Sequence, residues 1–318
     1  MRRIGHAIDM IEAKNAPSRG YLYLFVAVSF WGGSASLAKH LFRSGFDALI
    51  ITQTRSSLSF LLLAAYFAVV NRSVFNIDRR DLLKFASVGV IGVAITNFTY
   101  YFTVQETTVA TAILMQYTAP LMVMLYTVFV SKEEDMNGAK IVSLLLALLG
   151  CYLAVSGGAL TTIQISSLGV ASGAASALCY AFMLLASKRV LRTYTVWTML
   201  VYAFGFATLF WLVVHPPWEI AAKGYSIEDW GIFWMFAIVS ILIPHALFMK
   251  SLHLLEATSV GIASTMEPVV AIVVAYLALG EALNGIQSLG ALSVVCAVVL
   301  LQLPRQRLRF LVRGSHEK

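Results

Sequence analysis

The stretch STMEPVVAIVVAYLALGE (264–281) sets a carboxylate, Glu267, beside a proline, Pro268, inside an otherwise apolar run. It has a counterpart. QYTAPLMVMLYTVFVSKE (116–133) aligns with it so that Pro120 falls over Pro268 and Glu133 over Glu281, each 148 residues apart. At the same spacing Asn97 meets His245, and at 149 Gly20 meets Gly169, Trp31 meets Tyr180 and Lys39 meets Lys188. Identity between the halves is sparse, but together these coincidences describe a duplicated chain.

Hydrophobic residues make up 59% of the chain and charged residues 12%, with a mean hydropathy of +0.80; soluble domains carry roughly one quarter charged residues. The composition is that of a protein embedded in a lipid bilayer. A spanning helix needs about 20 mainly apolar residues, and such runs occur at 21–41, 48–70, 83–105, 109–130, 139–155, 168–187, 195–214, 230–252, 258–279 and 286–303. The expected organisation is an N-terminal segment 1–20, a first five-helix repeat 21–155, a second 168–303 and a basic tail 304–318. No cleavage-type sequence follows the first run, which reads as an uncleaved anchor.

Five spans per half is an odd number, so the second copy enters the membrane from the side opposite to the first. The fold class expected is all-α integral membrane, with about ten transmembrane helices as two inverted five-helix repeats. Nineteen of the 23 Lys and Arg residues fall on the side of the N-terminus, three (Lys39, Arg43, Lys223) on the other, and Arg55 within a span. Cytoplasmic loops carry the excess of positive charge, so both termini are expected in the cytoplasm. The formal charge of +7 does not point to nucleic acid, because the basic residues are scattered between apolar runs rather than clustered on one face.

Inverted repeats are a mark of secondary transporters, whose halves form a site near mid-membrane and expose it to each side in turn. Within a spanning helix, proline removes a backbone hydrogen bond and leaves a carbonyl that must face protein or water rather than lipid. Pro120, Pro244 and Pro268 lie within spans, and Pro120 and Pro268 are repeat mates. Helices four and nine are therefore expected to pack together as kinked linings of a central cavity. Prolines without a substrate role are common in membrane helices, which is the plainer reading of each taken singly.

A charge near mid-bilayer costs about 2.5–3.5 kcal/mol on insertion scales and must be neutralised, paired or hydrated. At 1.5 Å per residue, Glu267 lies about 14 Å and Arg55 about 11 Å from the membrane edges where their helices start. Glu267 is a candidate for proton coupling or a substrate ammonium, or else for an ion pair or a hydrogen-bonded carboxyl. Arg55 is a candidate for a substrate carboxylate or an ion pair with Glu267, or else for a side chain snorkelling to the outer surface. Trp31 and Tyr180 offer aromatic faces to a ring or a cation, or are interfacial aromatics. His245 and its mate Asn97 face the cavity or pack in the bundle. Gln116 faces the cavity or bonds the carbonyl freed by the kink. The substrate-binding candidates are thus Trp31, Arg55, Asn97, Gln116, Pro120, Tyr180, His245, Glu267 and Pro268; no metal or cofactor site is read. Lys39, Lys188 and Lys250 read as snorkelling side chains near helix ends, Glu133 and Glu281 as helix-end or loop residues. Gly169–Gly173 and Gly32–Ser36 are small-residue faces for close helix approach.

The features FWGG (30–33), Arg55 within TQTRSSLSF (52–60), ATAILMQYTAP (110–120) and EATSVGIASTMEPVVAIVVAYLALGE (256–281) with Gly290 resemble those of the drug/metabolite transporter superfamily, EamA type. The resemblance runs from about Gly20 to Leu303. It implies an inverted five-plus-five bundle exporting amino acids, related metabolites or toxic organic compounds across the inner membrane by alternating access. It also implies a helix-two arginine at Arg55, a helix-nine Glu-Pro at Glu267 and Pro268, and loop glutamates at Glu133 and Glu281. SKEEDMNG, after helix four, lacks the glycine that precedes Glu281.

Two cargoes remain open. One is a small amino acid or related metabolite, with Arg55 and Glu267 available for the two charges of a zwitterion. The other is an aromatic or cationic compound, with Trp31, Tyr101, Tyr117 and Tyr180 as stacking faces and Glu267 as the anion. An intramembrane enzyme is a distant third, since no HExxH, P-loop or paired metal-ligand spacing occurs and VASG at 170–173 has Val170 where an intramembrane serine protease needs glycine. Cys151, Cys179 and Cys296 lie in apolar spans and read as packing residues. No filter-like loop or ring of like charges suggests a channel. The sequence is compatible with a homodimer without deciding it.

Overall fold

The structure, a computed structural model, describes residues 2–43, 45–158, 166–279 and 284–302. Ten long helices account for nearly all of them: α1 (Arg2–Arg43), α2 (Ala48–Val70), α3 (Arg79–Glu106), α4 (Val109–Val130), α5 (Gly138–Ser156), α6 (Ser167–Val190), α7 (Val196–Val214), α8 (Ile227–Leu254), α9 in two pieces (Ala257–Ser264 and Met266–Leu279) and α10 (Gly285–Gln302). There is no strand among the described residues. Helices α2 to α10 are each long and apolar enough to cross a membrane, and α1 carries the remaining run. The ends follow polar caps. Asp47, Asn137, Ser166 and Thr195 accept backbone N–H groups at the starts of α2, α5, α6 and α7, and Ser226 with Asp229 forms a reciprocal capping box on α8. Glu281 and the tail 304–318 lie outside the described residues, as do the side chains of Ser36, Lys39 and Arg43.

The neighbour relations are symmetric under exchange of the halves. α3 packs on α6 as α8 packs on α1, α4 on α6 as α9 on α1, and α3 on α7 as α8 on α2, while α2–α7, α4–α9 and α5–α10 each pair with their own mate. Exchanging the halves maps each of these contacts onto another in the set or, for the mate pairs, onto itself, which is what a duplicated, inverted bundle requires. α5 and α10 stand at the periphery with their backbones in contact. A Cβ on Gly150 would lie 2.8 Å from the Gly290 carbonyl oxygen, so both positions must stay bare. Large apolar side chains such as Leu61, Leu145, Leu178 and Val213 point outward, as a bundle solvated by hydrocarbon demands.

The regular ladder fails at matched places in the two halves. α3 carries a π-helical stretch at Val88–Ile95 and α8 one at Ile238–Leu242; such insertions rotate the following residues around the helix. α4 breaks between Val109–Gln116 and Ala119–Leu125, and α9 breaks at Thr265. At each break a threonine hydroxyl folds back three residues: Thr118 onto the Met115 carbonyl and Thr265 onto that of Ile262, both at 2.7 Å. The first halves of both helices thus end in satisfied turns, and the second halves start afresh at mid-bundle.

Candidate functional site

The prolines explain where the breaks can sit. Pro120 and Pro268 fall in the first turn of the new half-helices, where the first four N–H groups have no intrahelical partner and a missing one costs nothing. Both are buried, but neither lines the central cavity. The two prolines named as substrate-binding candidates therefore stand behind the cavity wall, just after Tyr117 and Glu267 in the chain.

The other seven candidates do surround one cavity, which also takes in Ser34, Thr96, Tyr100, Tyr101, Tyr117 and Ser240. It extends to Val104 and Val109 beside the α3–α4 turn. The cavity volume is about 90 Å³, room for on the order of three waters at about 30 Å³ each.

Arg55 is 3% exposed and turned inward rather than toward a surface. Its Nη1 donates to Tyr101 Oη at 2.6 Å and Ser240 Oγ at 3.2 Å, and its Nη2 to Asn97 Oδ1 at 2.6 Å. The guanidinium also lies 4.9 Å from the Tyr101 ring centroid and 5.4 Å from that of Phe236, close enough for the ring faces to attract the cation. All these partners are neutral. Nε, also buried, has no partner, and among the described residues no carboxylate stands within 4.0 Å of this cation.

Glu267 occupies the first turn of the second α9 half-helix, whose N-terminal dipole favours an anion. Tyr117 Oη donates to Glu267 Oε2 at 2.7 Å, and among the described residues no Lys, Arg or His pairs with this carboxylate. The close approach that brings it in depends on Gly32. A Cβ there would lie 2.9 Å from the Glu267 carbonyl oxygen, so the FWGG glycine lets α1 press against the break. Arg55 and Glu267 are thus not an ion pair: α2 packs on α3, α7 and α8 and presents its cation to the cavity, while α9 presents its anion to the same cavity.

Asn97 is held at both ends, its Nδ2 donating to the Val93 carbonyl at 2.8 Å. Trp31 meets the His245 ring edge-on at 5.3 Å and packs on Phe248 at 5.1 Å, and Phe204 closes the far side of His245. Tyr180 Oη donates to Ser264 Oγ, at the α9 break, at 3.3 Å. Gln116 does not bond the carbonyl freed by the break; its Nε2 donates to Ser176 Oγ on α6 at 3.0 Å. Tyr100 and Ser240 go unnoticed in the sequence, although Tyr100 and Tyr101 follow Asn97 by about one turn. Ser240 carries no sequence signal, because only the π-helical stretch turns it toward Arg55.

A second group of charges ties the opposite end of the bundle. Lys140, 3% exposed, lies between Glu134 and Glu256, 2.9 Å from each. Glu134 also accepts the Thr258 backbone N–H at the start of α9 at 3.2 Å. Arg192 reaches Glu133 at 2.7 Å and Arg189 reaches Tyr126 Oη at 2.7 Å. Lys188 does not snorkel: it caps the end of α8 through the Leu252 and Leu255 carbonyls, both at 2.6 Å. Lys250 lies 5.1 Å from the Trp197 ring centroid and 5.7 Å from that of Tyr23.

Inverted halves, two helices broken at mid-bundle and a central cavity carrying separated charges together make up a membrane transporter. The chain belongs to the EamA-like transporter family, whose profile matches residues 18–156 and 167–303. It is similar to the uncharacterized inner membrane transporter YicL of Salmonella typhimurium, 24% identical over 91% of this chain and 97% of that protein. It is also similar to the threonine/homoserine exporter RhtA of Escherichia coli K12, 27% identical over 86% of this chain and 88% of the exporter. A solved structure described as a crystal structure of a protein superposes with a TM-score of 0.73 over 92% of this chain and 99% of its own, at 18% identity, a likeness of fold.

Proposed function

We propose that this protein is a secondary exporter of small zwitterionic amino acids, working by alternating access around the cavity between α4 and α9. The observation that carries the reading is that Arg55, buried, and Glu267, half-buried, are groups of opposite sign that share one cavity without pairing with each other. Holding two such charges apart is costly, and a ligand with a carboxylate and an ammonium group relieves both. The cavity size favours a molecule of several heavy atoms over a bulky aromatic drug, and the similarity to a threonine/homoserine exporter supports the same cargo class. With the termini in the cytoplasm, as the Lys and Arg bias argues, the Val104 and Val109 end of the cavity lies toward the outer side and the Lys140 cluster toward the inner one. The protein then sits in the inner membrane with residues 21–155 and 168–303 as the two moving repeats.

Proteoliposomes preloaded with labelled threonine, or with a cationic dye, test the reading directly. Threonine is expected to leave faster than from protein-free vesicles and the dye not to; dye efflux without amino-acid efflux would replace this proposal with the drug-exporter reading. Glu267 is proposed to couple export to protons, because a carboxylate that meets the ammonium in one step can carry a proton in another. Glu267→Gln should lose the acceleration of export by a pH gradient while keeping threonine counterflow at lower affinity. A variant that still responds to the gradient would remove Glu267 from the coupling step.

A further inference from the structure

Most of the hydrogen-bonding side chains that face the cavity are already engaged, the Trp31 indole, the Tyr100 hydroxyl and the His245 ring apart, with His245 Nδ1 buried and unpartnered. Tyr101 accepts from Arg55, Tyr117 donates to Glu267 and Tyr180 donates to Ser264. Asn97 is used at both ends. The hydroxyls of Ser34, Thr96 and Ser240 return to the carbonyls of Trp31, Ile91 and Phe236. Beyond the two charged groups, the acceptor left over on α4 is Gln116 Oε1. The Gln116 amide is fixed by its Nε2 bond to Ser176 Oγ, which leaves Oε1 with no partner. The residue directly precedes Tyr117, the anchor of Glu267, so this oxygen and the proposed ammonium site belong to one turn of the α4 break.

A carbonyl oxygen held rigid in a largely buried wall selects for a donor and penalises a group that cannot donate. We propose that Gln116, oriented by Ser176, accepts a hydrogen bond from the side-chain hydroxyl of the substrate and so makes the site selective for hydroxy amino acids, threonine and homoserine among them, over an isostere such as valine. The inference rests on the zwitterion reading and adds to it the identity of the side-chain subsite. Gln116 acts on the substrate itself, and Ser176 is a positioning residue.

The test is counterflow in proteoliposomes preloaded with threonine, with labelled threonine and labelled valine compared outside. The wild type should prefer threonine by about tenfold, the discrimination one neutral hydrogen bond supports. Gln116→Leu should bring the ratio near unity by lowering threonine transport, and Ser176→Ala, outside the cavity wall, should leave a ratio between the two. Each variant is carried forward only with a monodisperse elution profile, and Ser176→Ala tests the idea where Gln116→Leu does not fold. A wild type that moves both amino acids equally, or variants that keep the full threonine preference, overturn the hydroxyl subsite while leaving the zwitterion reading in place. A wild type that moves neither overturns that reading itself.

Discussion

Replacing Arg55 by methionine is expected to abolish saturable amino-acid transport while leaving the protein at least as heat-stable as the wild type. The two halves of this expectation have one cause. Arg55 is buried against Tyr101, Ser240 and Asn97, none of which carries a counter-charge, so its desolvation is not offset by an ion pair in the empty protein. Removing it takes an uncompensated charge out of the bundle, a change that is neutral or stabilising where the shape is kept. With substrate present the balance reverses. Two charge-assisted hydrogen bonds to a carboxylate, at about 1.5–3 kcal/mol each, correspond to roughly a hundredfold or more in affinity. Arg55→Lys should recover only part of this loss, since an ammonium cannot present the planar two-pronged face that fits a carboxylate. Initial rates of threonine counterflow and thermal unfolding in detergent check both halves. A methionine variant that melts well below the wild type yet transports normally would make Arg55 a structural residue.

How much of this was legible beforehand differs from element to element. The ten spans and their duplication can be read off because the length of an apolar run is a local property and the matches Pro120–Pro268, Trp31–Tyr180 and Asn97–His245 share one register. The prolines correctly mark α4 and α9 as broken, but they mark the start of the new half-helix rather than the break. The residues that face the cavity, Tyr117 and Glu267, stand just ahead of them. Arg55 and Glu267 are conspicuous because charge in an apolar run is rare. That they are held apart by Tyr101, Asn97 and Tyr117 is a matter of packing between distant segments, which no local pattern encodes. Ser240 depends on a π-helical stretch with no sequence mark of its own. Repeat alignment selects Glu133 at the opposite end, yet the acid that is buried and bonded there is its neighbour Glu134, because Lys140 and the Thr258 N–H both converge on it.

That distinction between adjacent glutamates leads to the second large effect, at Lys140. Lys140→Met should lower the thermal midpoint in detergent by several degrees, whereas Glu133→Gln should melt with the wild type. Glu133 pairs with Arg192 and Arg189, whose side chains are about half exposed, and exposed ion pairs contribute only about 0–1 kcal/mol. Lys140 and Glu134 are each more than nine-tenths buried. Removing Lys140 strands Glu134 beside Glu256, and breaking a buried pair by deleting one partner costs about 3–5 kcal/mol. Matching the deletion with Glu134→Gln should therefore restore most of the lost stability, since one buried charge then goes with the other; equal midpoints for the single and double variants would mean that the ion pair is not what holds this corner. The same contacts join the α4–α5 link to the start of α9, so they must part before the cavity can open at this end. Leu185→Cys, in the pocket that Glu134 and Glu256 also line and with Cys151, Cys179 and Cys296 replaced, should accordingly react faster with a water-soluble maleimide when Lys140→Met is added than without it, and an unchanged rate would separate the clamp's contribution to stability from any part in gating.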